Sequence, residues 1–330
     1  MKILVTGGCG FIGSNFIRYI LKAHPDWEVV NLDALTYAGN PANLAEVAGE
    51  LRYKFIHGRI EEPQTVHTAV RGCSAVINFA AETHVDRSIV EPAVFIRTNI
   101  VGTQVLVDVC REKRLSRFIQ ISTDEVYGSL GAEGRWTEES PLQPRSPYSA
   151  SKAAADLLVL AAFRTWGVPV NIVRPSNNYG PYQYPEKLIP LAITNLLEGK
   201  KVPVYGQGEN VRDWIYVEDT VRAIELVLLR GVPGEVYNVG AGAERRNIDV
   251  VRRIAALLGK GEEEIEFVPD RPGHDFRYAL DTNKIRQLGW EPKVDFETGL
   301  MQTVRWYQER TSWWKALKLK LARESKGFWS

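Results

Sequence analysis

Short apolar runs alternate along the first half of the chain with longer stretches whose apolar residues recur three and four positions apart. Residues 2–6 form the first apolar run and predict a buried strand, and residues 14–22 follow with helical spacing. Residues 29–32, 53–57, 75–79, 118–121 and 169–173 predict further strands. Residues 63–70, 92–111 and 148–166 predict helices between them. Continuously apolar strands separated by helices define an α/β chain with a doubly wound parallel sheet covered on both faces. Past residue 175 the rhythm loosens. Helices are predicted over 187–197, 218–229, 247–258, 283–288 and 297–309, a short edge strand over 202–206 and a strand over 236–239. This divides the chain into a first domain over 1–175, to which residues 208–240 return, and a smaller α/β domain over most of 176–330, which the motifs below read as dinucleotide-binding and substrate-binding respectively. Residues 129–147, punctuated by Gly131, Gly134, Pro141, Pro144 and Pro147, predict a loop over the site. Trp313, Trp314 and the basic tail are expected to be surface packing.

The junctions between elements carry the candidate chemistry. Gly7, Gly10 and Gly13 lie between the first strand and the first helix with the spacing G-x-x-G-x-x-G. A strand, a glycine turn and a helix N-terminus make an anion site that a pyrophosphate can approach closely. Asp33 ends the second strand, where a carboxylate accepts hydrogen bonds from a ribose diol and repels a 2′-phosphate, which favours NAD over NADP. Ala80 and Ala81 after the fourth strand leave room for a dinucleotide to pass. His84 is read chiefly as a local hydrogen-bonding residue of that loop. The strand ending at Ile121 runs into Ser122, Thr123, Asp124 and Glu125, and Tyr148 and Lys152 follow four residues apart on one helical face. Adjacent residues of an extended strand point to opposite faces, so Asp124 and Glu125 can serve one ligand only if the chain turns there. Arg, Lys and Asn side chains at segment ends of the second half suit a nucleotide diphosphate and sugar hydroxyls.

Composition narrows the class. Hydrophobic content of 45% and charged content of 25% are those of an ordinary soluble enzyme, and a net charge of +1 gives no electrostatic case for nucleic acid or an anionic membrane. Cys9, Cys73 and Cys110 are too scattered for a disulfide framework or a zinc site, so no metal is expected and the thiols are read as small apolar residues. Strand-like sequence begins at Lys2 in place of a signal peptide, and no apolar run of membrane length is expected, which points to the cytoplasm.

Taken together, these motifs resemble the extended short-chain dehydrogenase/reductase superfamily, and within it the dTDP-glucose 4,6-dehydratase family. The resemblance runs from Lys2 to about Trp314. The glycine turn and Tyr-x-x-x-Lys mark the superfamily; residues 35–40, 81–88, 122–128, 176–182, 185–190, 212–214 and 270–275 mark the family. It implies a Rossmann-like fold and conversion of dTDP-glucose to dTDP-4-dehydro-6-deoxyglucose and water, with NAD held tightly and regenerated in each turnover. It implies that Thr123, Tyr148 and Lys152 run the redox step while Asp124 and Glu125 run the elimination, Glu125 as base and Asp124 as acid. From the residues alone the reverse assignment is equally open. The implied cofactor contacts are Gly7, Gly10, Phe11, Ile12, Gly13, Asp33, Leu35, Thr36, Ile60, Phe79, Ala80, Ala81, Thr98, Tyr148, Lys152 and Asn178. The implied substrate contacts are Thr83, Thr123, Asp124, Glu125, Asn177, Lys187, Leu188, Pro203, Tyr205, Arg212, Asn247, Arg271 and His274. A homodimer built on helices over 92–111 and 148–166 is implied as well. One departure is Arg59 after Gly58, where the family often places an acidic residue near the adenine. Two rivals stay open: an NAD-dependent nucleotide-sugar epimerase, which has no use for Asp124 and Glu125, and a catalytically idle NAD-binding regulator.

Overall fold

The structure, a computed structural model, describes residues 1–270 and 273–324. Its strands are β1 (Lys2–Thr6), β2 (Glu28–Asp33), β3 (Tyr53–His57), β4 (Ala75–Asn78), β5 (Arg117–Ile121), β6 (Val170–Pro175), β7 (Asn177–Tyr179), β8 (Val202–Tyr205), β9 (Val211–Tyr216), β10 (Val236–Val239), β11 (Glu244–Arg246) and β12 (Ile265–Val268). Seven of them make one parallel sheet in the order β10-β6-β5-β4-β1-β2-β3. The order reverses between β1 and β4, and ligands of such sheets bind beyond the carboxyl ends of the strands at this switch point.

Side-chain alternation along each strand feeds two cores. Ile3 and Val5 of β1 pack with Phe16, Ile17 and Ile20 of the helix Phe11–Ala23 and with Val221 and Ile224 of the helix Val217–Arg230. Leu4 faces the other way, toward Val66, Leu106, Val107 and Val159 on three other helices. All of these are buried, and burying each such side chain stabilises the fold by about 1.5–3 kcal/mol. A third core, around Tyr179, Trp214, Ile254 and Trp314, holds the second half together beside the three-stranded sheet β11-β9-β7 and the pair β12-β8. The strand β9 belongs to this second half, whereas the helix that follows it and β10 lie with the large sheet.

Several expectations are corrected. The strands β7, β9, β11 and β12 were not foreseen; β7 and β11 are three residues each, too short for a hydrophobic period to register. Trp314 is not a surface residue: it is 1% exposed, its indole donates to the Tyr307 carbonyl at 2.8 Å, and it lies on a further helix, Thr311–Glu324. Residues 129–147 do not cover the site. Leu130 N and Trp136 N donate to the carbonyls of Arg277 and Ala279, which pins this segment to the second half, and none of its residues lines either cavity described below. The stretch Pro92–Lys113 is helical throughout and, contrary to expectation, long and apolar enough to cross a membrane by length and composition. It packs against the helices Pro63–Ala69 and Pro147–Trp166, and its middle, Ile96–Gly102, is a π-helix.

Candidate active site

Two adjoining cavities, about 300 and 510 Å³, open beyond the carboxyl ends of the strands. Glu125, Asn177, Asn178, Glu186 and Lys187 line both, so the two form one cleft.

The first cavity is built on the glycine turn. Gly7 has φ 68°, and a Cβ there would lie 2.6 Å from the backbone nitrogen of Ala80, so the turn after β1 and the end of β4 approach too closely for any side chain. A Cβ on Gly13 would lie 2.5 Å from the Gly7 carbonyl. The helix behind the turn starts after Gly10 with no side-chain cap, which leaves its first amide groups directed at the cavity. Asp33 is buried at the end of β2; its Oδ2 accepts from Cys9 N at 2.8 Å and its Oδ1 from Leu35 N at 2.7 Å. Burial pushes this carboxyl up, and the two amides draw it back. Thr36, Ile60, Phe79, Ala80, Ala81, Thr98 and Asn178 line the same cavity with the glycines, Phe11 and Ile12. A cradle that only glycine permits, a helix N-terminus and a carboxylate at the next strand end fit a dinucleotide. Leu35 is the exception among the expected contacts. Its backbone is left-handed at φ 50°, its amide holds Asp33, and its side chain packs against the core instead of the cavity.

Thr123, Asp124, Glu125, Tyr148 and Lys152 all line this cavity as well. The chain does turn where the carboxylates required it. Thr123 is extended and caps a 3₁₀ turn over Asp124–Tyr127, accepting from Glu125 N at 3.3 Å. Asp124 is 3% exposed, and its Oδ2 has no hydrogen-bond partner among the described residues. Burial first and the adjacent Glu125 second push its carboxyl well above the usual range, against the pull of Arg212. A carboxyl so placed holds its proton more tightly than a free one, the direction a proton donor requires.

Tyr148 and Lys152 share a buried face of the helix Pro147–Trp166, which a reciprocal Ser146–Ser149 capping box starts. Burial pushes the Tyr148 phenol up, Glu125 adds to this, and a hydrogen bond with Thr123 lowers it. Lys152 falls to about 8 through burial, with Asp156 opposing, and its ammonium donates to the Ile121 carbonyl at 2.6 Å.

The second cavity gathers the expected substrate residues Glu125, Asn177, Lys187, Leu188, Pro203, Tyr205, Arg212, Asn247 and His274. Thr83, Thr123 and Asp124 lie in the first, and Arg271 lies outside the described residues. Arg212 is buried, its guanidinium 4.3 Å from the Tyr278 ring centre and donating to the Asp275 carbonyl at 2.9 Å. Asn177 Oδ1, Asn247 Oδ1 and Trp214 Nε1 are buried without a partner among the described residues, which suits a polar ligand. Tyr205 donates to Asp86 at 3.3 Å, and His274 meets Asp270 at 2.6 Å. His84 caps the helix Val85–Val90, accepting from Arg87 N, and also lines the second cavity.

Glu186, Glu82, Arg87, Trp214 and Tyr278 line the cleft without having been singled out. Glu186, between the cavities, accepts from the Tyr37 hydroxyl at 2.9 Å and is pushed up by burial. Both residues fall inside motifs already marked, at 35–40 and 185–190, and that membership was the available signal. Arg59 lines the first cavity half-exposed, 3.8 Å from Glu61, whose carboxylate accepts from Thr98 at 3.0 Å.

A parallel sheet with a glycine turn at its switch point, and with Thr123, Tyr148 and Lys152 at neighbouring element ends, defines the short-chain dehydrogenase/reductase architecture. The chain belongs to the GDP-mannose 4,6 dehydratase family, whose model matches residues 4–303. It is 54% identical over 323 residues to a dTDP-glucose 4,6-dehydratase of Streptomyces niveus, with 96% of each chain covered. The structure of a dTDP-glucose 4,6-dehydratase from Streptomyces venezuelae, solved with NAD and a dTDP ligand, superposes with a TM-score of 0.94 at 51% identity, covering 96% of this chain and 100% of that one. A UDP-glucose 4-epimerase of Thermus thermophilus in complex with NAD shares the fold at a TM-score of 0.87 and 30% identity, covering 94% of this chain and 100% of that one.

Proposed function

We propose that this chain is an NAD-dependent dTDP-glucose 4,6-dehydratase, a hydro-lyase. The observation that carries the reading is the 3₁₀ turn that sets Thr123, Asp124 and Glu125 in one cavity with Tyr148 and Lys152. An epimerase needs only the redox set; the two extra carboxyls match an elimination.

Water cannot leave C6 of a glucose directly, because nothing acidifies the proton at C5. Oxidation at C4 makes that proton α to a carbonyl. The glycine turn, Asp33 and the lining from Thr36 to Asn178 would hold NAD, which when bound would supply the hydride acceptor for C4 and the hydride donor for C6. Tyr148 takes the proton of the C4 hydroxyl, the Thr123 hydroxyl holds the C4 oxygen, and Lys152 supplies positive charge behind the phenol. Glu125 removes the C5 proton, Asp124, whose carboxyl burial holds high, delivers one to the departing O6, which leaves as water, and Glu125 gives its proton back to C5 as C6 is reduced. Arg212, Lys187, Asn177 and Asn247 supply charge and hydrogen bonds for the nucleotide diphosphate and its sugar.

Residues 1–175, with the helix Val217–Arg230 and β10, form the cofactor half in this reading, and most of 176–330 binds the nucleotide sugar. The protein is a homodimer: Ile96 and Val101 on the stretch Pro92–Lys113 and Leu157 on the Tyr148 helix are large apolar residues at 52%, 47% and 60% exposure, supporting burial against a second copy. The cytoplasm suits its free, buried cysteines.

The test is incubation with a panel of nucleotide-glucoses followed by mass measurement. Loss of one water from dTDP-glucose in preference to UDP-, CDP- or GDP-glucose is expected. A product of unchanged mass with inverted C4 would return the epimerase, and no turnover would return the idle NAD-binding protein.

A further inference from the structure

Asp156 lies one helical turn beyond Lys152 and two beyond Tyr148, fully buried and outside the cleft. Its Oδ2 accepts two hydrogen bonds, from Ser122 Oγ and from Arg174 Nε, each at 2.9 Å. Arg174 reaches across from β6, and its Nη1 donates to the Tyr127 hydroxyl at 2.8 Å. Tyr127 in turn donates to Asn238 Oδ1 at 2.7 Å, on β10. Arg174, Tyr127 and Asn238 are each no more than 2% exposed.

Ser122 immediately precedes Thr123, and Tyr127 is the last residue of the 3₁₀ turn that carries Asp124 and Glu125. One carboxylate therefore holds both ends of the catalytic turn, the near end directly and the far end through Arg174. The near end has a second tether, because Lys152 grips the Ile121 carbonyl. The far end is held by the Tyr127 hydroxyl and by the Val126 carbonyl, which accepts from Gln143 N at 3.0 Å. Buried ion pairs are weak stabilisers, often replaceable by apolar residues without loss. This one leaves Asp156 Oδ1 without a partner among the described residues, so it is not saturated as a stability device. What it does connect is the turn whose geometry the elimination needs.

Resting on the dehydratase reading above, we propose that Asp156 is a positioning residue: through Ser122 and through Arg174–Tyr127 it sets the reach of Asp124 and Glu125 toward C5 and O6 of the sugar. Thr123 adjoins β5 and the Lys152 tether, so loosening the far end displaces the carboxyl pair more than the redox set.

The experiment uses the NAD-loaded enzyme and three variants. Tyr127→Phe keeps the ring and deletes the hydrogen bonds to Arg174 and Asn238; Ser122→Ala loosens the near end; Asp156→Asn removes the charge that both share. The first two keep the proposal testable if Asp156→Asn does not fold. Bound NADH absorbance reads oxidation at C4, and water loss by mass together with C5 proton exchange reads elimination. Thermal unfolding and KM are measured alongside. Tyr127→Phe is expected to slow elimination by about 10- to 100-fold, the scale of a misplacement near 1 Å, while NADH forms at the wild-type rate and KM holds. Bound NADH then accumulates; Asp156→Asn shows the same loss of elimination, with NADH formation slowed as well above neutral pH because Lys152 loses the carboxylate that sustains its charge. A lowered unfolding temperature with the wild-type ratio of oxidation to elimination in Tyr127→Phe and Ser122→Ala would overturn the proposal and leave the network structural. Failure of wild type to release water would overturn the dehydratase reading itself, which separates the two outcomes.

Discussion

Lys152 donates its ammonium to the backbone carbonyl of Ile121, 2.6 Å away, instead of lying free beside Tyr148. Burial lowers this lysine from 10.5 to about 8, and Asp156 pulls it back up. The sign follows from the lowered folded value. The buried cation opposes folding fully below about 8, and that opposition is relieved as pH rises from about 8 to 10.5. In the proposed mechanism activity runs the other way, because the redox step uses the charge. Single-turnover NADH formation is expected to fall as pH rises through about 8, with no matching loss of thermal stability from this group. A flat rate to pH ~10, near the ordinary lysine value, would show that the charge of Lys152 is not used.

Tyr148→Phe is expected to abolish oxidation at C4 while nucleotide binding persists. The phenol reaches the cavity beside Thr123, and it is the one group of the set assigned to take the C4 hydroxyl proton. Absorbance of bound NADH after mixing with dTDP-glucose is the readout. Normal NADH formation would move the base elsewhere.

Asp124 and Glu125 separate a dehydratase from an epimerase. Glu125→Gln and Asp124→Asn are expected to slow dehydration by about 10²–10⁴-fold, the usual cost of losing a general base or acid, while oxidation continues. Glu125→Gln should also suppress exchange of the C5 proton with solvent deuterium. In wild type, deuterium placed on C4 should appear on C6. Wild-type dehydration in both variants would make the pair structural.

Asp33→Ala is expected to weaken NAD retention during purification, measured as cofactor released on denaturation. The carboxylate both orders the Cys9 and Leu35 amides and borders the cavity, so its loss disturbs the turn as well as the ribose contact proposed for it. Recovery mainly of NADP from wild type would sink the cofactor assignment, and Arg59 would become the residue to examine.

Trp314→Ala should destabilise the fold by about 3–5 kcal/mol, the range for emptying a large aromatic site in a core. Its indole fills the third core and hydrogen-bonds the Tyr307 carbonyl. Denaturant unfolding is the check, and a change below about 0.5 kcal/mol would restore it to the surface.

The sequence by itself determined what neighbours along the chain determine. The order of β1 to β6 with their helices, the glycine turn, Asp33 at a strand end and Tyr148 with Lys152 on one helical face are all local, set by periods of two and 3.6 and by the conformational freedom of glycine. Even the turn at Asp124 followed from a local argument, that two adjacent carboxylates cannot otherwise face one ligand. Tertiary structure alone decided what depends on partners far away in the chain. The three-residue strand β7 exists because β9 pairs with it, and β9 also pairs with β11. Glu186 comes to divide the cleft by meeting Tyr37, 149 positions away. Trp314 is buried by a core assembled from residues 179 to 314, which no window along the chain contains. The tie of Asp156 to both ends of the catalytic turn is of the same kind. It joins one helix, two strands and the turn through hydrogen bonds whose partners share no period, so only the folded backbone brings them within reach.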